Sequence, residues 1–234
     1  KHFSESDTRS QLNIIAVKEN ERLVAVAPFY IETLDRIGVI RLRRLTFIGR
    51  ETTDYLDLII AKGYEADCVS IIASFVATQS SLFDVIHLID LPDRSRNHET
   101  LYRELLDLGF DGPHFVNEHC PRTTIQSSWG ETLATLPSAK RSGLKRVQRK
   151  IESDFKPELY VENGSGHLRE DFEEFIDLHQ RRWNESGQLG VFADVATANF
   201  HRDIAKRFHE KHWLFLAFLC LDGNRRFSRH GDIG

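Results

Sequence analysis

Residues 12–29, LNIIAVKENERLVAVAPF, predict the fold of the first part of the chain. Two β-rich apolar runs, Leu12–Lys18 and Leu23–Ile31, flank the short polar turn ENER. Two such runs joined by a short polar turn are typical of an antiparallel β-hairpin. We therefore expect a sheet that contains this hairpin.

A related pattern returns in residues 214–231, LFLAFLCLDGNRRFSRHG. The run Trp213–Leu221 predicts a strand, and the pair Asp222-Gly223 is a strong hairpin-turn signal. The two halves thus share a pattern of strand, polar turn and returning segment. The second return, RRFSRH, gives a core nothing to bury, so we expect either a solvent-facing strand or an ending that is not a native continuation of the fold.

Strand and helix patterns alternate along the rest of the chain. In the first half, we expect strands at Val39–Ile48, Tyr55–Ile60 (buried) and Asp84–Leu91. We expect a helix at Glu65–Gln79, with Val69, Ile72, Ala73 and Val76 at helical spacing, and a second helix at His98–Leu108, stopped by Gly109. In the second half, we expect a strand at Leu159–Glu162 and helices at Trp129–Leu136, 138–154, Leu168–Ser186 and 195–211, with Ser138 and Asp194 as N-caps. The alternation predicts an α/β protein of the α+β layered kind, with mixed or antiparallel sheets flanked by helices and with domains at residues 1–120 and 121–234.

The composition is that of a globular protein, with 41% hydrophobic and 28% charged residues. No apolar run approaches the roughly 18 to 20 residues that span a bilayer, and no signal peptide opens the sequence, so we expect a soluble, cytoplasmic protein. The formal net charge of −4 argues against a protein that coats nucleic acid. Because the sequence starts at Lys1 and contains no methionine, we interpret it as less than an intact translation product.

The cysteines predict neither a disulfide framework nor a zinc cluster. Cys68, Cys120 and Cys220 lie far apart and form no CxxC pair, which is typical of a reducing compartment and of small buried apolar side chains. His114, His119 and Cys120 match no established ligand spacing, so we expect no metal.

Four stretches follow one another in a recognisable order. They are RLVAVAPFY (22–30), DYLDLII (54–60), LPSAKRSGLKRVQRKIE (136–152), and the series FIDLHQRRW (175–183), GVF (190–192) and WLFLAFLCLDG (213–223). In this order, the chain resembles the GNAT-like acyltransferases of the cellulose-biosynthesis CelD type, relatives of the tandem-domain FemAB transferases. The resemblance covers most of the chain.

This resemblance implies two GNAT-like units in tandem and transfer of an acyl group from acetyl-CoA, or another acyl-CoA, to an amine. In the family, the second unit continues into the strand and helix N-terminus that hold the pyrophosphate, so the resemblance implies a second unit truncated before that loop. We therefore expect this chain to bind acetyl-CoA weakly or not at all. Gly63, just before a predicted helix, is the one position where the chain could still hold a pyrophosphate.

A carboxylate on a predicted strand is the first candidate for chemistry. Tyr55 and Asp57 share one strand face, and a carboxylate among apolar neighbours is costly to bury without a partner. Asp57, assigned as catalytic, would receive a cationic acceptor together with the substrate-binding residues Asp54 and Tyr55. Alternatively, Asp57 pairs with an arginine such as Arg43 or Arg44, or lies at an exposed edge.

A histidine on the long helix is the second candidate. Its apolar stripe has helical spacing and consists of Phe172, Phe175, Ile176, His179 and Trp183. His179 would act as a general base, with Arg182 and Trp183 binding substrate; alternatively, it is a core histidine bonded to a carbonyl, and Trp183 is a core residue.

The third candidate is the basic helix at 138–154. Lys145, Arg146 and Arg149 are assigned to anion binding, and Lys140, Arg141 and Lys150 add to the charge. The stripe Leu144, Val147 and Ile151 should be buried against the protein, with the basic face outward. That face is either simply solvated, or binds coenzyme A phosphates, anionic glycans or lipid head groups, or contacts nucleic acid, for which aromatic residues for base stacking are lacking.

Together these features predict an N-acyltransferase that uses acyl-CoA and acts on a small-molecule or glycan amine in polysaccharide or cell-envelope metabolism. Asp57, Tyr55 and His179 would line an acceptor cleft between the halves. Two alternatives remain open: a non-catalytic binding protein of the same tandem fold, and an aminoacyl-tRNA-dependent transferase of the FemAB kind, in which the basic helix would contact tRNA.

Overall fold

The computed structural model describes residues 10–37, 40–50, 53–162, 164 and 166–225. The chain divides into two compact units, one reaching to Pro121 and the other starting at Arg122. Each unit combines helices with a sheet, and the predicted α/β class with mixed and antiparallel sheets is confirmed. That each unit is GNAT-like stays a prediction.

Five strands form the sheet of the first unit. They are β1 (Ser10–Glu19), β2 (Arg22–Ile37), β3 (Ile40–Phe47), β4 (Ile59–Ile60) and β5 (Val85–Ile86). The order is β1-β2-β3-β5, with β4 also paired to β2; all pairs are antiparallel except β3 with β5. The predicted hairpin is confirmed, because β1 and β2 join through Asn20 and Glu21, both at positive φ as this tight turn requires.

Two helices accompany this sheet, α1 (Glu65–Thr78) and α2 (Asn97–Asp107). The predicted stripe of α1 is confirmed: Val69, Ile72, Ala73 and Val76 are buried. They share one core with the sheet residues Ala27, Phe29, Leu45 and Phe47. Helix α2 ends before Gly109, whose φ of +88° fits the predicted glycine stop.

The predicted buried strand Tyr55–Ile60 is largely wrong. Only Ile59 and Ile60 are in a strand, while Tyr55 is 49% and Ile59 65% exposed. Leu56 and Leu58 are nevertheless buried, so the alternation of inward and outward residues holds. The extended segment fails to form a longer ladder because the N–H of Leu56 donates to the carbonyl of Asp90 in a loop. The predicted strand Asp84–Leu91 likewise shortens to β5.

The second unit contains four helices and three strands within the described residues. They are α3 (Trp129–Ala134), α4 (Ser138–Asp154), β6 (Pro157–Val161), α5 (Leu168–Glu185), α6 (Val195–Glu210), β7 (Ala217–Leu221) and β8 (Asn224–Arg225). The antiparallel sheet has the order β6-β7-β8. Its core consists of Phe172, Ile176, Leu178, Ala205, Leu216, Phe218 and Cys220.

Two turn and cap predictions in this unit are confirmed and two others are wrong. Asp194 caps α6 by accepting the N–H of Thr197 at 2.6 Å, and Asp222-Gly223 turns β7 into β8. Ser138 is not an N-cap, because Pro137 occupies that position and Ser138 already belongs to α4. The strand predicted from Trp213 starts at Ala217, since the preceding residues pair with no strand and Trp213 is 71% exposed.

The cysteine prediction is confirmed for two residues and wrong for the third. Cys68 and Cys220 are buried, and burial raises the pKa of the Cys68 thiol, whereas Cys120 is exposed in a segment without regular secondary structure. The His114 ring stacks on Tyr102, at 4.9 Å between centroids. Over the described ranges, no three His, Cys, Asp or Glu side chains are grouped to hold a metal ion. None of the described helices is both long enough and apolar enough to cross a bilayer.

Candidate functional site

Helix α5 places His179 beside the core of the second unit. Phe172 and Ile176 of its predicted stripe are buried, and Phe175, His179 and Trp183 are half-buried. The helical spacing of the stripe is thus confirmed, with His179 at the edge of the core.

The hydrogen bonds around His179 assign its tautomer. The indole N–H of Trp183 donates to Nε2 of His179 at 2.8 Å, and because an indole nitrogen can only donate, Nε2 must be the acceptor. Gln180 donates through Nε2 to the carbonyl of Leu189 at 2.7 Å and accepts the N–H of Phe192 through Oε1 at 3.2 Å, which fixes its amide orientation. His179 Nδ1 lies 3.2 Å from the same Oε1 and therefore donates to it. These bonds assign the proton to Nδ1 and leave Nε2 as the acceptor.

A tight loop closes this network. Gly190 has a φ of +71°, and a Cβ built on it would lie 2.4 Å from Gln180 Oε1 and 3.1 Å from Trp183 Cβ. Glycine is therefore required here both for its backbone conformation and for space. The GVF segment is held against α5 by this close approach.

Aromatic rings surround the imidazole. The Phe192 ring meets His179 edge-on at 4.8 Å between centroids, and His201 of α6 packs edge-on against the same phenylalanine at 5.3 Å. Burial, and to a lesser degree the neighbouring His179, lowers the pKa of His201. Two histidines of this unit thus share one apolar wall.

Arg182 and Trp183 lie next to each other at the edge of this site. The Arg182 guanidinium lies 5.9 Å from the centre of the Trp183 ring, within the range of a cation–π contact. Arg182 is exposed, and Trp183 is half-buried. Among the residues around His179, sequence reasoning placed Phe175 and Trp183 on the same stripe but gave no role to Gln180, Phe192 or His201. The GVF motif, which contains Phe192, was the available signal.

Sequence reasoning also missed a buried carboxylate in this unit. Glu162 is 7% exposed and lies 3.0 Å from His209 Nε2 on α6. Its other oxygen accepts the N–H of Gly164 at 2.9 Å. The two partners satisfy this carboxylate locally and tie α6 to the end of β6.

Asp57 in the first unit is held by local hydrogen bonds. Its Oδ1 accepts the N–H of Leu58 at 2.8 Å and Nδ2 of Asn97 at 3.0 Å, so it ties the 53–58 segment to the start of α2. The predicted alternative partners are wrong: Arg43 bonds Asp84 and Arg44 bonds Glu32. Asn97 lies 40 positions away, and no sequence pattern links it to Asp57.

Acidic groups lie near Asp90, whose carbonyl accepts the N–H of Leu56, next to Asp57. Asp54 and Tyr55 are exposed, and burial, followed by Glu118 and Asp54, raises the pKa of Asp90. The Arg94 guanidinium lies 5.7 Å from the centre of the Tyr55 ring. The segment thus presents an aromatic ring near carboxylates, a setting that attracts cations.

A second charged group lies on the sheet of the first unit. Glu32 accepts Arg44 Nε at 2.7 Å, and Arg50 Nη1 lies 3.7 Å from the same carboxylate; all three side chains are less than one-fifth exposed. Arg44 Nη1 also lies 3.3 Å from Nδ1 of His87. Burial, Arg44 and Arg50 lower the pKa of His87, so its imidazole is neutral near pH 7.

Helix α4 presents its basic face to solvent, but its apolar stripe is not buried. Lys145, Arg146 and Arg149 are exposed, as predicted. Leu144, however, is 43% exposed, and Val147 and Ile151 are only half-buried, so the predicted burial is wrong. Glycine and lysine positions interrupt the stripe, which makes the apolar face too narrow for a deep contact.

The turn at Gly63 is a poor place for an anion. Its φ is +91°, and its N–H donates to Glu65 Oε2 at 2.8 Å. Glu65 and Asp67 occupy the first turn of α1, where two carboxylates oppose a bound phosphate.

Comparison with known proteins finds one family. No curated protein and no solved structure gives a significant match. A family model described as "Acetyltransferase (GNAT) domain" matches residues 138–225, from the start of α4 to the end of β8, and the matched range contains the whole His179 network. The match over this part of the chain therefore supports the interpretation as a GNAT-like acyltransferase. It also supports acyl transfer of the acetyltransferase type in general.

Proposed function

We propose that the protein is a GNAT-type N-acyltransferase that transfers an acyl group from acyl-CoA, in the simplest case acetyl-CoA, to an amine. The observation that carries this proposal is the match of residues 138–225 to the acetyltransferase domain. The CelD-type resemblance of the ordered sequence stretches adds polysaccharide or cell-envelope metabolism as the setting. The cytoplasm is the proposed location, supported by cysteines that form no CxxC pair, as is typical of a reducing compartment.

Acyl-CoA supplies the activated thioester carbonyl. The amine must lose a proton to attack it, and Nε2 of His179 carries the lone pair that would take that proton. In the resting arrangement this lone pair accepts the Trp183 indole, so Trp183 has to move away for His179 to act as a base. Movement of the Trp183 ring, with the guanidinium of Arg182 against it, would couple substrate binding to release of the base.

Asp54, Tyr55 and Asp57 are proposed to bind the amine in its cationic form. Support comes from the carboxylates near Asp90, which make this segment favourable for a positive charge. The ring of Tyr55 already has the Arg94 guanidinium over it, which an incoming amine would replace. The hydrogen bond from Asn97 holds Asp57 in place without neutralising its charge.

Release of free thiol tests the proposal. The full-length protein, supplied with acetyl-CoA and a panel of amines, should release coenzyme A only with an acceptor present. His179→Gln should lower kcat at least about a hundredfold, the usual contribution of a general base. His167→Gln, at an exposed histidine just before α5, is the matched control and should keep full activity. Equal activity of both variants would remove His179 from the mechanism.

A non-catalytic binding protein of the same fold is the second candidate. It is favoured by one observation: both His179 and Asp57 are engaged in local hydrogen bonds. Calorimetry with acetyl-CoA separates the two candidates, since saturable binding without thiol release over the whole panel would select this one. Loss of activity after treatment with RNase would instead select an aminoacyl-tRNA-dependent transferase.

A further inference from the structure

Three cations cluster on the outer face of helix α4. Lys145 and Arg149 lie four positions apart, and Arg146 lies between them, so the three heads share about one turn of the helix. All three are exposed, whereas the half-buried Val147 and Ile151 lie on the other side. The outer face is therefore hydrophilic and mainly positively charged, with Glu152 as the carboxylate on the same side.

These cations differ from other helical arginines of the same unit. Arg181 pairs with Asp177 on α5, and Arg202 of α6 pairs with Glu173 at 2.6 Å. Across the described parts of the chain, no carboxylate forms an ion pair with Lys145, Arg146 or Arg149. Among the described residues, Arg149 donates through Nε to the carbonyl of Lys145.

One carboxylate, Glu152, lies three positions after Arg149; it accepts the amide of Gln148 at 2.8 Å and keeps its charge. The cluster of three cations and this carboxylate remains net positive. In a protein with a net charge of −4, such a positive group within about one turn is a local departure. Such a cluster attracts a ligand with several negative charges.

The surroundings of the cluster restrict the class of ligand. Helix α4 contains no aromatic residue, so it offers nothing on which nucleic-acid bases could stack. Its apolar residues lie away from the basic face, so a lipid surface would gain no apolar insertion there. A simple polyamine would be repelled. An acidic polymer without bases, such as a glycan that carries carboxylates, fits all three restrictions.

We propose that the basic face formed by Lys145, Arg146 and Arg149 binds an acidic glycan that carries the acceptor amine. This inference rests on the proposed acyl transfer and specifies its acceptor: an amine on a chain whose neighbouring units are negatively charged. The basic face would hold the acidic groups, and the amine would then remain to be acylated.

Binding can be measured without acyl-CoA. The probe is a fluorescent oligosaccharide of alternating glucuronic acid and unsubstituted glucosamine, followed by anisotropy with the full-length protein. The triple variant Lys145→Gln, Arg146→Gln, Arg149→Gln should lose about tenfold in affinity, because three weak exposed charge contacts are removed together. Added salt should weaken wild-type binding, as for any exposed charge contact.

A matched control removes three other exposed cations from the same unit. Lys206, Arg207 and Lys211 lie at the end of α6, and their replacement by Gln should leave the affinity unchanged. The carboxyl-reduced oligosaccharide should bind neither the wild-type protein nor this control variant. Equal losses in both triple variants would indicate a non-specific charge effect and overturn the proposal.

Two further probes distinguish other occupants. An oligothymidylate of equal charge, or vesicles of phosphatidylglycerol, would overturn the proposal if either bound more tightly than the acidic oligosaccharide at the same ionic strength. Failure of acyl transfer to every amine would disprove the proposed function and leave this binding result intact. Conversely, acyl transfer with no affinity for the oligosaccharide would disprove only the acidic glycan.

Discussion

The indole N–H of Trp183 donates to Nε2 of His179, one turn earlier on α5, over 2.8 Å. This bond makes Nε2 the acceptor of the imidazole and directs its lone pair at a neighbouring ring. His201, on the far side of Phe192, has a pKa lowered mainly by burial. Two histidines of the second unit thus lie against one phenylalanine ring.

Acid should therefore destabilise the second unit through His201. Its folded pKa is lowered, so the unfolded chain takes up the proton first, and the stability present above about pH 6.5 is lost as the pH falls through that value towards the folded pKa. When the pH is lowered from about 7.5 to about 5.5, the denaturant concentration at the unfolding midpoint should decrease. The decrease should be smaller in His201→Phe. His87 acts in the same direction in the first unit, so the difference between wild type and variant is the measure. Identical pH profiles would contradict the assignment.

Gly190→Ala should destabilise the protein more than its small size suggests. A methyl group at φ +71° is strained, and it would displace the Gln180 amide that holds the loop. The free energy of unfolding should drop by about 1 to 3 kcal/mol. Gly143→Ala is the control, because nothing lies within 4 Å of its added Cβ and alanine favours the helix. A Gly190→Ala variant as stable as that control would contradict this prediction, because the loop would then accommodate the methyl group without loss of stability.

Asp57→Asn and Asn97→Ala together separate charge from shape. Asp57→Asn removes the negative charge of the side chain. Asn97→Ala removes the 3.0 Å hydrogen bond to Asp57 but leaves the negative charge in place. If Asp57 binds the cationic amine, Asp57→Asn should raise the KM for the acceptor several-fold without changing acetyl-CoA affinity, while Asn97→Ala should change neither. Steady-state kinetics with a matched acceptor gives the answer. Equal effects of both variants would make Asp57 a structural residue.

Glu32→Gln should be the costliest single change of charge in the first unit. The Glu32 carboxylate lies between Arg44 and Arg50, with all three side chains 14% to 18% exposed. Removing it leaves guanidinium charge in a poorly solvated place, at a cost of about 2 to 4 kcal/mol of unfolding free energy. Asp84→Asn, in the more exposed pair with Arg43, should cost less. Chemical denaturation compares the two, and the reverse order would refute the burial argument.

Local patterns predicted much of the fold. The turn between β1 and β2, the buried face of α1 and the cap at Asp194 each depend on a few neighbouring residues, and all three are confirmed. The 53–58 segment is different. Its alternation correctly placed Leu56 and Leu58 inward, but whether it pairs as a strand depends on Asp90, more than 30 positions away.

The candidate site was predictable only in part. Helical spacing placed His179 and Trp183 on one stripe, one turn apart, which is the distance their hydrogen bond needs. The role of Gln180 was not predictable, because its partners belong to the loop at Leu189 and Phe192 and follow from tertiary packing. The apolar stripe of α4 misled for a related reason: spacing shows which residues can be buried together, but not whether another element covers them.

The two hydrogen bonds between Lys156 and Asp222 also bear on the order of folding. Lys156 N–H donates to the Asp222 carboxylate at 2.9 Å, and Asp222 N–H donates to the Lys156 carbonyl at 3.2 Å, across 66 positions of sequence. Both α5 and α6 lie within that interval. Closing so long a loop loses chain entropy before any strand contact offsets it, so the β6–β7 ladder should form after the helices. Until the ladder forms, the strand edges of β6 and β7 are open to pairing with other chains. The second unit should therefore be most prone to aggregation during the time in synthesis before these two strands pair.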